Sequence, residues 1–546
     1  MRSARIQGLM TVAAGAVLVL AACGGEGSST VPANTGGGAG ALIYNPPFRI
    51  GSVTAAAFAA QVGATPSGQQ LLLVTGAPVC GIDFHYIQYH TVGGAGEATT
   101  ASGALMVPTG GTGCSGARPI LLYAHGTASS RTYNIADPTS TTNEGASESG
   151  LIAAMFAAQG YIVVAPNYPG YDSSPLPYHP FVNGAALSSD MINALTAARS
   201  ALGHIPAAGT VDGGKLFISG YSEGGYVAMA THKAMQAARM PVTAAAPLSG
   251  PYALSSFGDA IFFGSVNLGS TEFAPLIISS YQNSYPGNPL YMATTDVVEA
   301  RYATGFATLL PGQSFSALVQ AGQLPLTELF NNTVPTVTAT TCSSAMVSGV
   351  LGALLPAITP PTVPAGEAPL FALGFGPLNL ITNNYRVGYL CDAVANPDGV
   401  VAPQLGFGAP VTGLPPVNPM HPIRVDLKLN DLRSWVPLSP VLLCGGHADP
   451  TVFYPVNTQT MQAFWTPQLA APQLLTVLDV DSAPSGPTDP FAAAKVGFAT
   501  DKAAVAAAAV AAGATDGGAA AVTQAYHGSL VPPFCSAAAR GFFSQF

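Results

Sequence analysis

Lys215 to Ala238 reads KLFISGYSEGGYVAMATHKAMQAA: an apolar run, Leu216-Phe217-Ile218, enters Gly220-Tyr221-Ser222-Glu223-Gly224-Gly225 and then apolar residues at helical spacing through Met235. Strand, Gly-x-Ser-x-Gly and helix in succession describe a nucleophile elbow, a tight turn that holds a strained serine with its hydroxyl exposed. The five letters alone decide little, since a chain this rich in glycine and serine matches them by chance about half the time. Their context is more selective. Gly220 and Gly224 stand where side chains would strike the neighbouring strand and helix. If Ser222 is a nucleophile, the remaining chain has to supply a base, an acid to orient it and N–H groups to receive negative charge.

Upstream of the elbow the chain has a strand rhythm. Ile82–Val92 and Thr99–Val107 alternate and are separated by the turn Gly93–Gly96, which predicts a hairpin at the edge of a sheet, with His85 and His90 as strand-face residues. Arg118–Ala124 is an apolar strand that stops in His125-Gly126-Thr127, a place where backbone N–H groups of Gly126 or Thr127 can receive an oxyanion. A helix over Glu148–Gln159 with Gly160 as its C-cap, a strand over Tyr161–Ala165, the turn-rich Asn167–Ser174 and a helix over Ala185–Leu202 lead to the elbow. This alternation belongs to an open parallel sheet, whose ligands sit at the carboxyl ends of the strands.

Downstream, Ala244–Leu248 is one more strand, and then the rhythm stops. Residues 251–436 are rich in Pro, Ala and Leu, with helices predicted over Thr295–Thr308 and Ser314–Phe330, and read as a mostly helical cap inserted over the active-site edge. The sheet resumes at Val441–Cys444, followed by Gly445-Gly446-His447-Ala448-Asp449-Pro450-Thr451-Val452, the position for a triad acid on the loop after a late strand. Asp479 and Asp481, at the end of the last strand Leu474–Val480, are the alternatives. An Ala-rich helix over Lys502–Ala512, the turn Tyr526-His527-Gly528 and a helix over Cys535–Phe543 follow. Ser222, Asp449 and His527 thus stand in the chain order of the α/β-hydrolase triad, with the N–H of Glu223 as the second oxyanion donor.

The chain of 546 residues carries a net charge of −9, and only 8% of its residues are charged. No Lys/Arg cluster is present to neutralise phosphates, which excludes a nucleic-acid partner, and a hydrophobic fraction of 49% excludes a disordered chain. Arg2 and Arg5 precede an apolar stretch, Leu9 to Ala22, of signal-peptide length, and Leu20-Ala21-Ala22-Cys23 resembles a bacterial lipobox. Residues 1–22 are thus expected to be a signal peptide, Cys23 a lipidated residue giving a membrane attachment, and 23–40 a flexible tether. Prolines interrupt the apolar stretch Met346–Phe375, so no spanning helix is predicted. The other six cysteines favour three disulfides in an exported chain. Of the many pairings open to them, sequence neighbours are preferred: Cys80 with Cys114, Cys342 with Cys391, and Cys444 with Cys535.

His125-Gly126-Thr127, Asn167-Tyr168-Pro169-Gly170, the elbow, the Asp449 loop and Tyr526-His527-Gly528 together resemble the secretory lipase family of α/β-hydrolases, over about residues 70 to 546. The resemblance implies a parallel sheet carrying an N-terminal antiparallel hairpin, a helical lid, and hydrolysis of carboxylic esters by a serine without metal or organic cofactor. The lipobox and the cap sequence depart from that family. The core is accordingly expected in two parts, 41–250 and 437–546, around a cap over 251–436. The expected substrate is a small-molecule or lipid ester with an apolar acyl group, at the cell surface or outside the cell. The alternatives are a peptidase on the same fold and a surface protein that binds without catalysis.

Overall fold

Strands buried on both faces form the centre of a nine-stranded sheet in the computed structural model, which describes residues 37–205, 209–398 and 413–546. The predicted signal peptide, Cys23, most of the tether and residues 399–412 of the insertion lie outside the described residues. In chain order the strands are β1 (Phe48–Val53), β2 (Gly81–Val92), β3 (Ala98–Thr109), β4 (Gly116–Ala124), β5 (Ile162–Pro166), β6 (Thr210–Tyr221), β7 (Ala244–Leu248), β8 (Val441–Gly445) and β9 (Leu475–Asp479). Their spatial order is β1-β2-β3-β5-β4-β6-β7-β8-β9. The first four in that row pair antiparallel, and β5 through β9 pair parallel. Every residue of β5, β7 and β8 is buried, as expected where helices cover both faces of a parallel sheet.

Register aligns the strand ends that matter. Ala124 pairs with Gly220, Tyr221 with Leu248, and Leu248 with Cys444, so the loops after β4, β6 and β8 emerge at one level. The helices Gly184–Leu202 and Glu223–Ala237 pack beside the central strands.

Several elements differ from the sequence expectations. The hairpin β2–β3 is not the edge, because β1 pairs along β2 outside it. The predicted helix over Thr295–Thr308 is three short 3₁₀ turns, the last introduced by Gly305 at φ 71°. The helix expected over Ser314–Phe330 covers only Phe315–Gln320, since Gly322 turns left-handed at φ 69° and Pro325 follows. Conversely, the Ala-rich helix is longer than expected, running Ala492–Ala511. Among the described residues no helix is long and apolar enough to cross a membrane.

All three neighbour pairings of cysteines are present as disulfides: Cys80–Cys114, Cys342–Cys391 and Cys444–Cys535. The third joins β8 to the helix Val531–Phe543. Three disulfides fit a chain that folds outside the reducing cytosol.

Candidate active site

Ser222 caps the elbow helix with φ 59° and ψ −122°, a backbone conformation that costs about 1–3 kcal/mol for a residue with a side chain. Glycines allow it. A Cβ on Gly224 would lie 2.0 Å from the carbonyl oxygen of Ala124, and one on Gly220 would lie 2.3 Å from that of Gly224. Helix and strand can therefore meet closely enough to present the serine at the sheet edge.

His527 Nε2 lies 2.8 Å from Ser222 Oγ, and His527 Nδ1 lies 2.7 Å from Asp449 Oδ2. Asp449 is buried, and its other oxygen accepts the N–H groups of Thr451 and Val452 at 2.9 and 3.0 Å. That turn leaves Oδ2 for the imidazole alone. The Tyr221 hydroxyl donates to the carbonyl oxygen of His527 at 2.5 Å and holds its backbone from the strand that leads to Ser222.

His527 is not in a turn, as the sequence suggested, but on a π-helical turn, Tyr526–Leu530, between the helices Ala519–Ala525 and Val531–Phe543. Pro532 and Pro533 lack the N–H groups that would bond back to Gly528 and Ser529, so the regular i→i−4 ladder fails there. This pair of prolines is the signal that would have placed the histidine on a helix.

The sequence left two donors open at the end of β4, and the structure separates them. The Gly126 N–H donates to the Glu148 carboxyl at 3.1 and 3.3 Å. The Thr127 N–H has no acceptor among the described residues, and the Glu223 N–H, first in its helix, has no intrahelical one.

Glu148 went unnoticed in the sequence. Its carboxyl also accepts the hydroxyls of Tyr123 at 2.8 Å and Tyr133 at 3.3 Å. Burial raises its pKa to about 7, against the pull of those hydrogen bonds. His125 is a strut: fully buried, stacked between Tyr133 and Tyr168 at 4.2 and 4.0 Å, and pushed by burial down to about 3. The Asn167-Tyr168-Pro169-Gly170 motif serves the same loop, since Asn167 Oδ1 accepts the Ile135 N–H and the Tyr168 hydroxyl donates to the carbonyl of His125.

The alternative acids are engaged elsewhere. Asp479 bonds the exposed His447 at 2.8 Å, and Asp481 bonds Lys502 and Tyr526. His85 is a strand residue, buried, with burial lowering its pKa to about 4.

A cavity of about 620 Å³ opens over Ser222, Thr127 and His527. Leu71, Val74, Leu151, Phe273, Pro532 and Pro533 give it apolar walls. Phe273 comes from the segment between β7 and β8, on the helix Ser270–Ser284. Four carboxyl groups, Glu144, Glu148, Glu272 and Asp501, also line the cavity, and no lysine or arginine does.

No family model and no curated protein matches the sequence. Solved structures do match. The rice cell wall degrading esterase LipA from Xanthomonas oryzae is 25% identical, over 84% of this chain and 95% of that one, with a TM-score of 0.59 in a ligand-bound form and 0.58 in another crystal structure. The chain has the α/β-hydrolase fold. A Legionella pneumophila protein at 18% identity and a TM-score of 0.52, over 80% of this chain and 91% of that one, shares the fold. The chain is thus similar to an esterase of that fold.

Proposed function

We propose that the protein hydrolyses carboxylic esters through an acyl-enzyme on Ser222. The observation that carries the reading is the continuous chain of hydrogen bonds Ser222–His527–Asp449, at 2.8 and 2.7 Å, opening into a cavity. His527 Nε2 takes the serine proton as Oγ attacks the ester carbonyl, while Asp449 holds the Nδ1–H tautomer and stabilises the imidazolium. The N–H groups of Thr127 and Glu223 receive the negative oxygen. His527 returns the proton to the leaving alcohol, and water then repeats the sequence on the acyl-serine.

The apolar walls suit an uncharged acyl group, and the carboxyl groups disfavour an anionic one. Phe273 and Glu272 support reading residues 251–436 as a cap over the cavity. Export and lipidation at Cys23 complete the proposal, with the disulfides in their favour. A diacylglycerol-sized mass on the Cys23 peptide tests that part.

The catalytic reading is tested with p-nitrophenyl esters of rising chain length and an aminopeptidase substrate, wild type beside Ser222→Ala. Loss of at least about a thousandfold in ester turnover by the variant is expected. Equal turnover by the two proteins sinks the mechanism, and amide turnover without ester turnover makes the enzyme a peptidase.

A further inference from the structure

Beneath the elbow lies a pair that the steps above leave idle. His179 Nε2 is 2.7 Å from Glu223 Oε1, with both side chains fully enclosed. His179 Nδ1 is 3.0 Å from the carbonyl oxygen of Pro169. A carbonyl only accepts, so Nδ1 carries a proton, and the contact with Glu223 must hold one more between two groups that would otherwise both be acceptors. The other Glu223 oxygen is buried without a partner among the described residues, a rare condition in a native fold that calls for an explanation.

The same imidazole touches a second set of supports. It packs against Tyr171 at 4.7 Å and Tyr168 at 5.6 Å between ring centroids. Those tyrosines hold the loop after β4 at its two ends: Tyr168 donates to the carbonyl of His125 at 3.0 Å, and Tyr171 to that of Ala128 at 2.6 Å. Thr127 lies between the two held carbonyls. One ring therefore links the supports of Thr127 with the side chain of Glu223.

We propose that His179 is a positioning residue that sets the spacing of the two oxyanion N–H groups. The inference rests on the reading of Ser222 as nucleophile and of Thr127 and Glu223 as donors. Such donors act only when aimed at the place the oxyanion will occupy. Their displacement weakens the tetrahedral state and leaves ground-state binding largely intact, so the loss falls on kcat rather than KM.

The experiment compares the full-length wild type with His179→Gln, Glu223→Leu and Glu223→Gln, using p-nitrophenyl butyrate and a trifluoromethyl ketone that adds to the serine as an oxyanion. Folding is checked by circular dichroism melts. His179→Gln and Glu223→Leu are expected to lose about 10–100-fold in kcat with KM changed less than about twofold, and to bind the ketone more weakly by a similar factor. Glu223→Gln can accept from or donate to His179, and is expected to recover about tenfold in kcat over Glu223→Leu. A folded His179→Gln with kcat within about twofold of wild type overturns the proposal, as does a loss of kcat with undiminished ketone affinity. If His179→Gln does not fold, the contrast between Glu223→Leu and Glu223→Gln decides, and equal behaviour of the two overturns it. A wild type that neither turns over the ester nor reacts with a fluorophosphonate overturns the esterase reading itself, and this inference with it.

Discussion

The hydroxyl of Tyr526 donates to Asp481 at 2.7 Å. It also accepts the Ala448 N–H at 3.2 Å, and Lys502 neutralises the same carboxylate from 2.7 Å. The residue before His527 is thereby tied to the residue before Asp449. Tyr526→Phe keeps the ring, which packs on Phe498, and removes only these bonds. It should lower kcat by about tenfold with KM nearly constant and cost about 1–2 kcal/mol in a urea titration. Unchanged kcat would show that the Asp449 loop holds itself.

Reducing one covalent link should loosen the same pair of loops. Cys444 and Cys535 close a loop of 91 residues, for which chain entropy predicts up to about 4.6 kcal/mol of stability. The Cys444→Ser/Cys535→Ser double variant is expected to lose at least about half of that in chemical denaturation, and to lose activity on warming before the global melt.

Two glycines near the serine should respond in opposite ways. Gly224→Ala forces a Cβ against a carbonyl oxygen 2.0 Å away and should abolish soluble folded protein or displace the serine. Gly126→Ala meets nothing within 3.5 Å, so the protein should fold with a melting temperature near that of wild type. Measuring expression and melts for both is sufficient.

Glu148 makes a pH-dependent contribution of known sign. Its folded pKa of about 7 exceeds the usual carboxylate value of 4.5, so the native state holds the proton more tightly, and the favourable contribution present below about 4.5 is lost as pH rises to about 7. Asp190, Glu272 and Asp426, also raised to about 7, act in the same direction. The buried His85, His125, His232 and His421, all lowered, act in the opposite one. The two sets offset each other in the wild type, so the informative quantity is the difference from Glu148→Gln. Relative to that variant, wild type should lose about 1–3 kcal/mol of stability between pH 4.5 and 7.5. A flat difference would place the Glu148 titration elsewhere.

Much of the site was legible because it depends on local chemistry. The elbow and the Asp449 turn follow from short segments whose residues admit few conformations, and the cysteines pair with their neighbours in sequence. What was missed depends on distant parts of the chain. Nothing near Glu148 announces that Gly126 will use it as an acceptor, and His179 meets Glu223 only once the fold has brought residues 44 positions apart together. The insertion was hardest to read, because Pro and Gly interrupt its helical composition at positions such as Gly305, Gly322 and Pro325. Strand β1 was overlooked because Phe48-Arg49-Ile50-Gly51-Ser52-Val53 lies mostly exposed at a sheet edge and lacks a clean alternation.

Ser222 and His527 stand 305 residues apart in the chain, and the link that braces the Asp449 and His527 loops closes only after residue 535. During synthesis the serine emerges long before its partners, on an elbow with no base to remove its proton. If the triad acts as proposed, the order of translation keeps the nascent chain chemically silent, and competence arrives with the last sheet strand and the π-helical turn that carries His527.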